Sequence, residues 1–231
     1  MKTPALLGGL GLAVLLVGHG LGLLASPPEA TMGETGRILY LHVPTAWTGM
    51  LALSVAFVAA IGALWSGGMR WDAVMEASVE VGVLFCAMLL FQGSIWSRPT
   101  IDAWWTWDPR LTTSAIMLVA FVGVLVLRRL VHQPGRRMVT SAVATIVAFV
   151  DVPVVYFSVE WWESAHQELS SMDTVDEVML VPLLISLVGT TLLGAAFLVA
   201  RAHIALARRR HEEAAPDLPP TPPPLDLEAA P

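Results

Sequence analysis

Gly93 to Thr113 reads GSIWSRPTIDAWWTWDPRLTT. The stretch brings Trp96, Trp104, Trp105 and Trp107 together with Arg98 and Arg110, and on each side it is bounded by a run apolar enough to cross a membrane. An indole has an apolar body and one N–H donor, so one or two Trp residues at the lipid–water boundary are ordinary. Four in so short a stretch make a broad aromatic surface, suited to something flat.

The rest of the chain agrees with a loop between spans. Of 231 residues, 55% are hydrophobic and 14% charged, too apolar a balance for a soluble domain. A span needs ~20 apolar residues, which allows about six in this length. The fold class expected is an all-α integral membrane protein whose membrane domain covers residues 1–200, with spans at about 5–25, 44–65, 79–96, 110–127, 138–157 and 178–200. The loops 26–43, 97–109 and 158–177 then share one side, and 201–231 form a tail, first basic and then Pro-rich and disordered. A formal net charge of −6 argues against nucleic acid as a partner. The single Cys86, inside an apolar run, leaves no disulfide, C-x-x-C pair or thiolate metal cluster.

The first run exceeds the ~7–15 apolar residues of a cleaved signal, so it reads as an uncleaved span. Its glycines, Gly8, Gly9, Gly11, Gly18, Gly20 and Gly22, suit close helix approach. His19 in the same run reads as a packed, hydrogen-bonded residue, with iron ligation as the alternative. Pro44 fits the first helical position of the second span, which sets His42 just ahead of it. Glu76 and Glu80 fall near the first turn of the third span, where the helix dipole favours anions. Asp108 and Pro109 read as N-cap and first residue of the fourth. Asp151, in Asp151-Val152-Pro153 of the fifth, has two readings of equal standing: a functional ionisable group, or a cap for backbone freed at Pro153.

Charge sets the expected orientation. Of the 13 Lys and Arg residues, all but Arg37, Arg98 and Arg110 lie on the side of the termini, which predicts both termini cytoplasmic and the Trp loop outside. His132, His203 and His211 then sit among arginines on the inner side, where a solvated surface position is ordinary. His42 and His166 lie on the outer edge. If the segment from Ser158 to Gln167 is helical, Trp162, Ala165, His166 and Leu169 share one face.

Two imidazoles over an aromatic floor suit a haem, a flat apolar disc whose iron takes two axial nitrogens and whose propionates attract cations such as Arg37, Arg98 or Arg110. Any one of these Trp residues alone fits a membrane-belt anchor better than a cofactor contact, and either His alone a surface position; it is their coincidence on one side that brings the haem reading level. On the residues themselves both readings stand.

Three blocks carry a family resemblance: Leu41-His42-Val43-Pro44-Thr45-Ala46-Trp47; Trp104-Trp105-Thr106-Trp107-Asp108-Pro109-Arg110-Leu111-Thr112; and Val152-Pro153 through Ser158-Val159-Glu160-Trp161-Trp162 to His166-Gln167. Over roughly residues 33–200 the chain resembles the CcmC family of the bacterial cytochrome c maturation pathway, within the wider class of haem-handling membrane proteins with a Trp-rich outer loop. The resemblance implies a multi-pass protein of the bacterial inner membrane that transiently holds haem b (iron protoporphyrin IX). His42 and His166 would be its axial ligands, on a platform of Trp96, Trp104, Trp105, Trp107, Asp108, Trp161 and Trp162.

The partners implied are a periplasmic haem chaperone (CcmE-like), the ATPase and permease subunits of an ABC transporter, and a small single-span subunit (CcmD-like). No Gly-Lys-Ser/Thr phosphate loop occurs in the sequence, so the expectation is a transport and assembly protein rather than an enzyme, with ATP handled by a partner. Ile101 and Asp102 stand where the family pattern leads one to expect an aromatic and then a glycine, and a carboxylate beside a dianionic haem is unfavourable unless it faces the acceptor. Two other classes remain open: a membrane electron carrier, which needs paired histidines within spans, and a haem-free permease or docking subunit using the Trp loop as a contact surface.

Overall fold

The computed structural model describes residues 2–29, 32–164 and 175–214. Its helices are α1 (Lys2–His19), continued by π-helical turns at Gly20–Ala25, α2 (Leu39–Ser66), entered through 3-10 turns at Glu34–Ile38, α3 (Met69–Ile101), α4 (Pro109–Leu130), α5 (Pro134–Phe149), α6 (Asp151–Trp161) and α7 (Glu177–Ala214). With α5 and α6 taken as one bent unit, six helical units among the described residues are long and apolar enough to span a membrane. The chain is an all-helical membrane protein, and Leu6, Val58, Phe91, Val119, Val147 and Phe197 expose their apolar side chains along its helices.

The core lies between α2, α3, α4 and α6, where Leu53, Ala56, Val79, Cys86, Met117, Phe121, Val152 and Val155 pack together. Cys86 is buried there. In lipid there is no hydrophobic gain in bringing helices together, so small residues that permit close packing decide which pairs associate. Helices α1 and α7 meet on this principle. A Cβ added at Gly189 would lie 2.5 Å from the Leu15 backbone nitrogen, and one at Gly18 would lie 2.6 Å from that of Ser186. Of the six glycines of the first span, Gly11 and Gly18 are closely opposed by α7 in this way and Gly22 by the Tyr40 ring of α2; Gly8 has only an ordinary contact with Ala196, and Gly9 and Gly20 face open space.

Helix boundaries follow local chemistry. Gly67 ends α2 at φ 63°, a left-handed turn that glycine enters without a Cβ penalty. Asp108 caps α4 by accepting the Arg110 N–H at 2.9 Å, with Pro109 at the first helical position. At Val150 the helix breaks just before Pro153, whose ring removes one donor and clashes with the preceding turn. Asp151 makes no side-chain hydrogen bond among the described residues and its Oδ2 is buried, so the capping role considered for it is not formed.

Two starts and ends differ from the sequence expectation. Helix α2 begins at Leu39, so Pro44 is interior and His42 lies in the first turn rather than ahead of it. Pro44 has no N–H for the Tyr40 carbonyl one turn back. His19 supplies the substitute, its Nε2 lying 3.2 Å from Tyr40 O. The packed, hydrogen-bonded reading of His19 is therefore the observed one. Helix α7 continues to Ala214, so residues 201–214 are helical where a tail was expected from 201.

The end of the bundle away from the Trp loop holds an ionic cluster. Asp72, Glu76, Arg128 and Arg209 are all buried. Arg128 Nη2 donates to Asp72 Oδ2 at 2.8 Å and Arg209 Nε to the same oxygen at 2.5 Å, while Arg209 also reaches Glu76. Arg208 Nη2 donates to Glu76 Oε1 at 2.5 Å, and Arg201 grips Glu80 through bonds of 2.6 and 2.8 Å. The acidic side chains of α3 thus bind the ends of α4 and α7. Because α3 starts at Met69, Glu76 and Glu80 lie beyond its first turn, and arginines rather than the helix dipole are their partners.

Candidate functional site

The Trp loop begins where α3 stops. That helix continues past Trp96 through Pro99 to Ile101, leaving residues 102–108 as the connection to α4. Asp102 closes α3 at φ 55° and ψ 23°, the left-handed position that favours glycine because a side chain there is crowded. Aspartate is among the few other residues that adopt it. Its carboxylate pairs with Arg98 one turn earlier on an exposed surface. The departure at 102 therefore keeps the turn and alters only the charge at its rim.

Within the connection, Trp105 and Trp107 meet edge to face, with ring centroids 5.9 Å apart. Trp104 and Trp107 are exposed, Trp107 by 83% of its surface, whereas Trp96 and Trp105 are half-buried. A second aromatic group stands at the end of α6. There Phe157 stacks on Trp161 at 5.5 Å, and Trp161 meets Trp162 edge to face at 5.9 Å, both indoles being exposed.

Two polar ties hold these groups at one end of the molecule. Arg110 Nη1 donates to Tyr156 O at 3.2 Å, and Ser164 Oγ donates to Asp108 Oδ1 at 2.9 Å. The same Asp108 oxygen caps α4, so this carboxylate fixes the end of the Trp loop and anchors the segment that follows α6. Residues 158–177 are a loop in the sequence expectation, with a helix over 158–167 only a condition; α6 in fact runs on to Trp161 and ends there. Trp162 is extended, at φ −134°, which takes it off the continuous helical face expected to carry it with Ala165, His166 and Leu169. His166 lies outside the described residues, two positions beyond Ser164.

His42 projects from the first turn of α2 towards α3, where a Cβ on Gly93 would lie 3.6 Å from its Cε1. At the same level Gln92 Nε2 donates to Thr45 Oγ1 at 3.3 Å. Gly93 precedes the end of α3 by eight residues, so His42 sits roughly 12 Å along the helix axis from the Trp loop, inside the bundle end rather than on its rim. Gln92, Gly93 and Thr45 are the neighbours that sequence reasoning passed over. A polar amide in an otherwise apolar stretch, one residue before a glycine, was the available signal.

The three candidate propionate partners differ in availability. Arg37 is committed to local partners: Nη1 donates to Gly22 O at 3.1 Å and Leu23 O at 2.8 Å, carbonyls left over where the first helical unit ends, and Nε pairs with Glu34 at 2.5 Å. Arg110 is half-buried and bound to the Tyr156 carbonyl. Arg98 is exposed, and its partner Asp102 is exposed as well, so this pair is the most readily reorganised of the three. The described parts of the end thus combine exposed indoles, a half-buried imidazole and two arginines, chemistry suited to a planar apolar group bearing negative charge at one edge.

Comparison with known proteins gives a consistent picture. The family described as Heme exporter protein C matches residues 2–216. Heme exporter protein C of Bradyrhizobium diazoefficiens is 34% identical over 190 residues, covering 80% of this chain and 72% of its own length. Its counterpart in Escherichia coli K12 is 33% identical over 190 residues, covering 81% of this chain and 77% of its own. A putative cytochrome c biosynthesis ccmC-like mitochondrial protein of Arabidopsis thaliana is 29% identical over 167 residues, or 71% of this chain and 63% of its own.

Proposed function

The chain belongs to the Heme exporter protein C family, and from that premise we propose that it binds haem at the Trp-loop end and presents it to a periplasmic haem chaperone during c-type cytochrome biogenesis. The observation that carries the reading is the joining of two exposed aromatic groups, Trp104 with Trp107 and Trp161 with Trp162, by the Asp108–Ser164 hydrogen bond. His42 and His166 serve as axial ligands of a transiently held haem b. Ser164 is fixed at the loop, and two further residues of extended chain reach about 7 Å, which allows His166 to act over the same surface. Arg98 and Arg110 meet the propionates, and Arg37 remains with the carbonyls it already serves.

The design suits transfer rather than storage. A haem enclosed on all sides could not be handed on, whereas one reaching from His42 in the bundle end out to the exposed indoles leaves its outer edge open to a partner's nucleophile. The excess of arginine on the side of the termini supports an orientation with those termini in the cytoplasm and the Trp loop in the periplasm of a bacterial inner membrane. The protein acts as a transport and assembly subunit, with a CcmE-like chaperone as acceptor and a CcmD-like single-span subunit beside it. ABC transporter ATPase and permease subunits supply the ATP chemistry for which this sequence has no phosphate loop.

The test is the colour of the purified chain. It is expected to carry a six-coordinate, low-spin haem, and a Trp104→Ala/Trp107→Ala variant to hold it about tenfold more weakly, since each aromatic contact is worth roughly 0.5–1.5 kcal/mol beyond its buried area. A wild-type protein that takes up no haem would overturn the reading and favour a docking subunit whose Trp loop meets a protein.

A further inference from the structure

The ionic end of the bundle encloses a cavity of about 360 Å³ lined by five arginines and His132 against three glutamates. The glutamates are heavily used: Glu76 takes Arg128, Arg208 and Arg209, Glu80 takes Arg201, and Glu212 takes Arg137. Arg129 and His132, which line the same cavity, make no hydrogen bond or ion pair among the described residues. Arg137 adds a buried Nε–H without an acceptor. The cavity therefore keeps donors and an excess of positive charge after every carboxylate in its wall is satisfied.

Its surroundings are apolar and face outward. Glu80 lies one turn before Leu84 on α3, and Leu84, Met88 and Phe91 continue the same helical face as exposed apolar side chains. On α7, Arg201 lies between Phe197 and Ile204, which share its face and are likewise exposed. The cationic cavity thus lies beside two exposed apolar strips, one on α3 and one on α7. We propose that it binds the phosphate of an acidic membrane phospholipid, with Arg129, His132 and Arg137 as donors and the acyl chains lying along the exposed faces of α3 and α7. A basic pocket between membrane helices selects anionic over zwitterionic headgroups by charge, each cation near the surface contributing about a fivefold preference.

The experiment is a titration of the purified full chain with phosphatidylglycerol, phosphatidylcholine or inorganic phosphate, read by thermal unfolding and by lipid retention in native mass spectrometry. Phosphatidylglycerol is expected to be retained at least about fivefold more than phosphatidylcholine and to raise the unfolding temperature. An Arg129→Gln/His132→Gln variant is expected to lose that preference. The variant breaks no hydrogen bond or ion pair among the described residues, so its fold is expected to hold. Arg136→Gln, an exposed arginine outside the cavity wall, is expected to keep the preference. Equal retention of the two lipids, or a preference that survives the double variant or vanishes with Arg136→Gln, overturns the site. Stabilisation by inorganic phosphate equal to that by phosphatidylglycerol overturns the lipid assignment.

Discussion

Replacing both proposed ligands, as His42→Ala/His166→Ala, is expected to abolish haem loading of the periplasmic chaperone, a fall of at least about a hundredfold. The size follows from what remains. Without imidazoles, haem would be held only by indole contacts worth roughly 0.5–1.5 kcal/mol each and by partly solvated charge pairs, which add little. Haem in that state is placed in no defined orientation towards an acceptor. The His42 ring also borders Gly93, so its loss opens space inside the bundle end rather than merely trimming a surface. The comparison variant is His203→Ala/His211→Ala, whose residues are exposed on the part of α7 remote from the Trp loop, and it is expected to load normally. Chaperone loading is read as covalently attached haem in the periplasmic fraction. Loading of the chaperone by the His42→Ala/His166→Ala variant at the wild-type level would refute the ligand assignment.

The second large effect concerns stability. Asp72→Ala removes the carboxylate that accepts from both Arg128 and Arg209, leaving two guanidinium groups in a buried site with one fewer acceptor. Breaking a buried ion pair from one side costs about 3–5 kcal/mol, because the remaining charge keeps its desolvation penalty. Arg201→Ala is the contrast: its pair with Glu80 is partly exposed, and such pairs contribute about 0–1 kcal/mol. Thermal unfolding in detergent is expected to show a large loss for Asp72→Ala and a small one for Arg201→Ala. Equal losses would mean that the cluster at α3, α4 and α7 does not hold the helix ends together.

The helical architecture was legible because hydropathy and the demands of lipid act over whole segments. What escaped was mostly pairing across the chain. Arg128 and Arg209 read as ordinary basic residues at a membrane edge, and only the fold shows Asp72 and Glu76 between them. The same holds for His19, whose partner is a carbonyl 21 residues away that Pro44 leaves without its usual donor. Helix α2 starts early for a related reason: a proline can sit inside a helix when another group serves the freed carbonyl, so Pro44 did not mark the first turn.

At the candidate site the local signals read best. The Asp108-Pro109 start of α4 was plain from the N-cap rule, and the unexpected Asp102 is explained by its left-handed backbone. The second role of Asp108, accepting from Ser164 56 residues on, had no local signature. The shared face of Trp162 and His166 was conditional on a helix read from periodicity alone; α6 ends at Trp161, where the chain turns extended towards the Asp108 contact.

The most direct test of the haem-presenting account is the absorbance spectrum of the purified protein, oxidised and reduced, for the wild type and for His42→Gly and His166→Gly, with and without added imidazole. The account predicts a six-coordinate low-spin haem in the wild type, a changed spectrum in each variant, and return to the wild-type form when imidazole fills the vacated ligand position. Variants that both keep the full wild-type spectrum would contradict it.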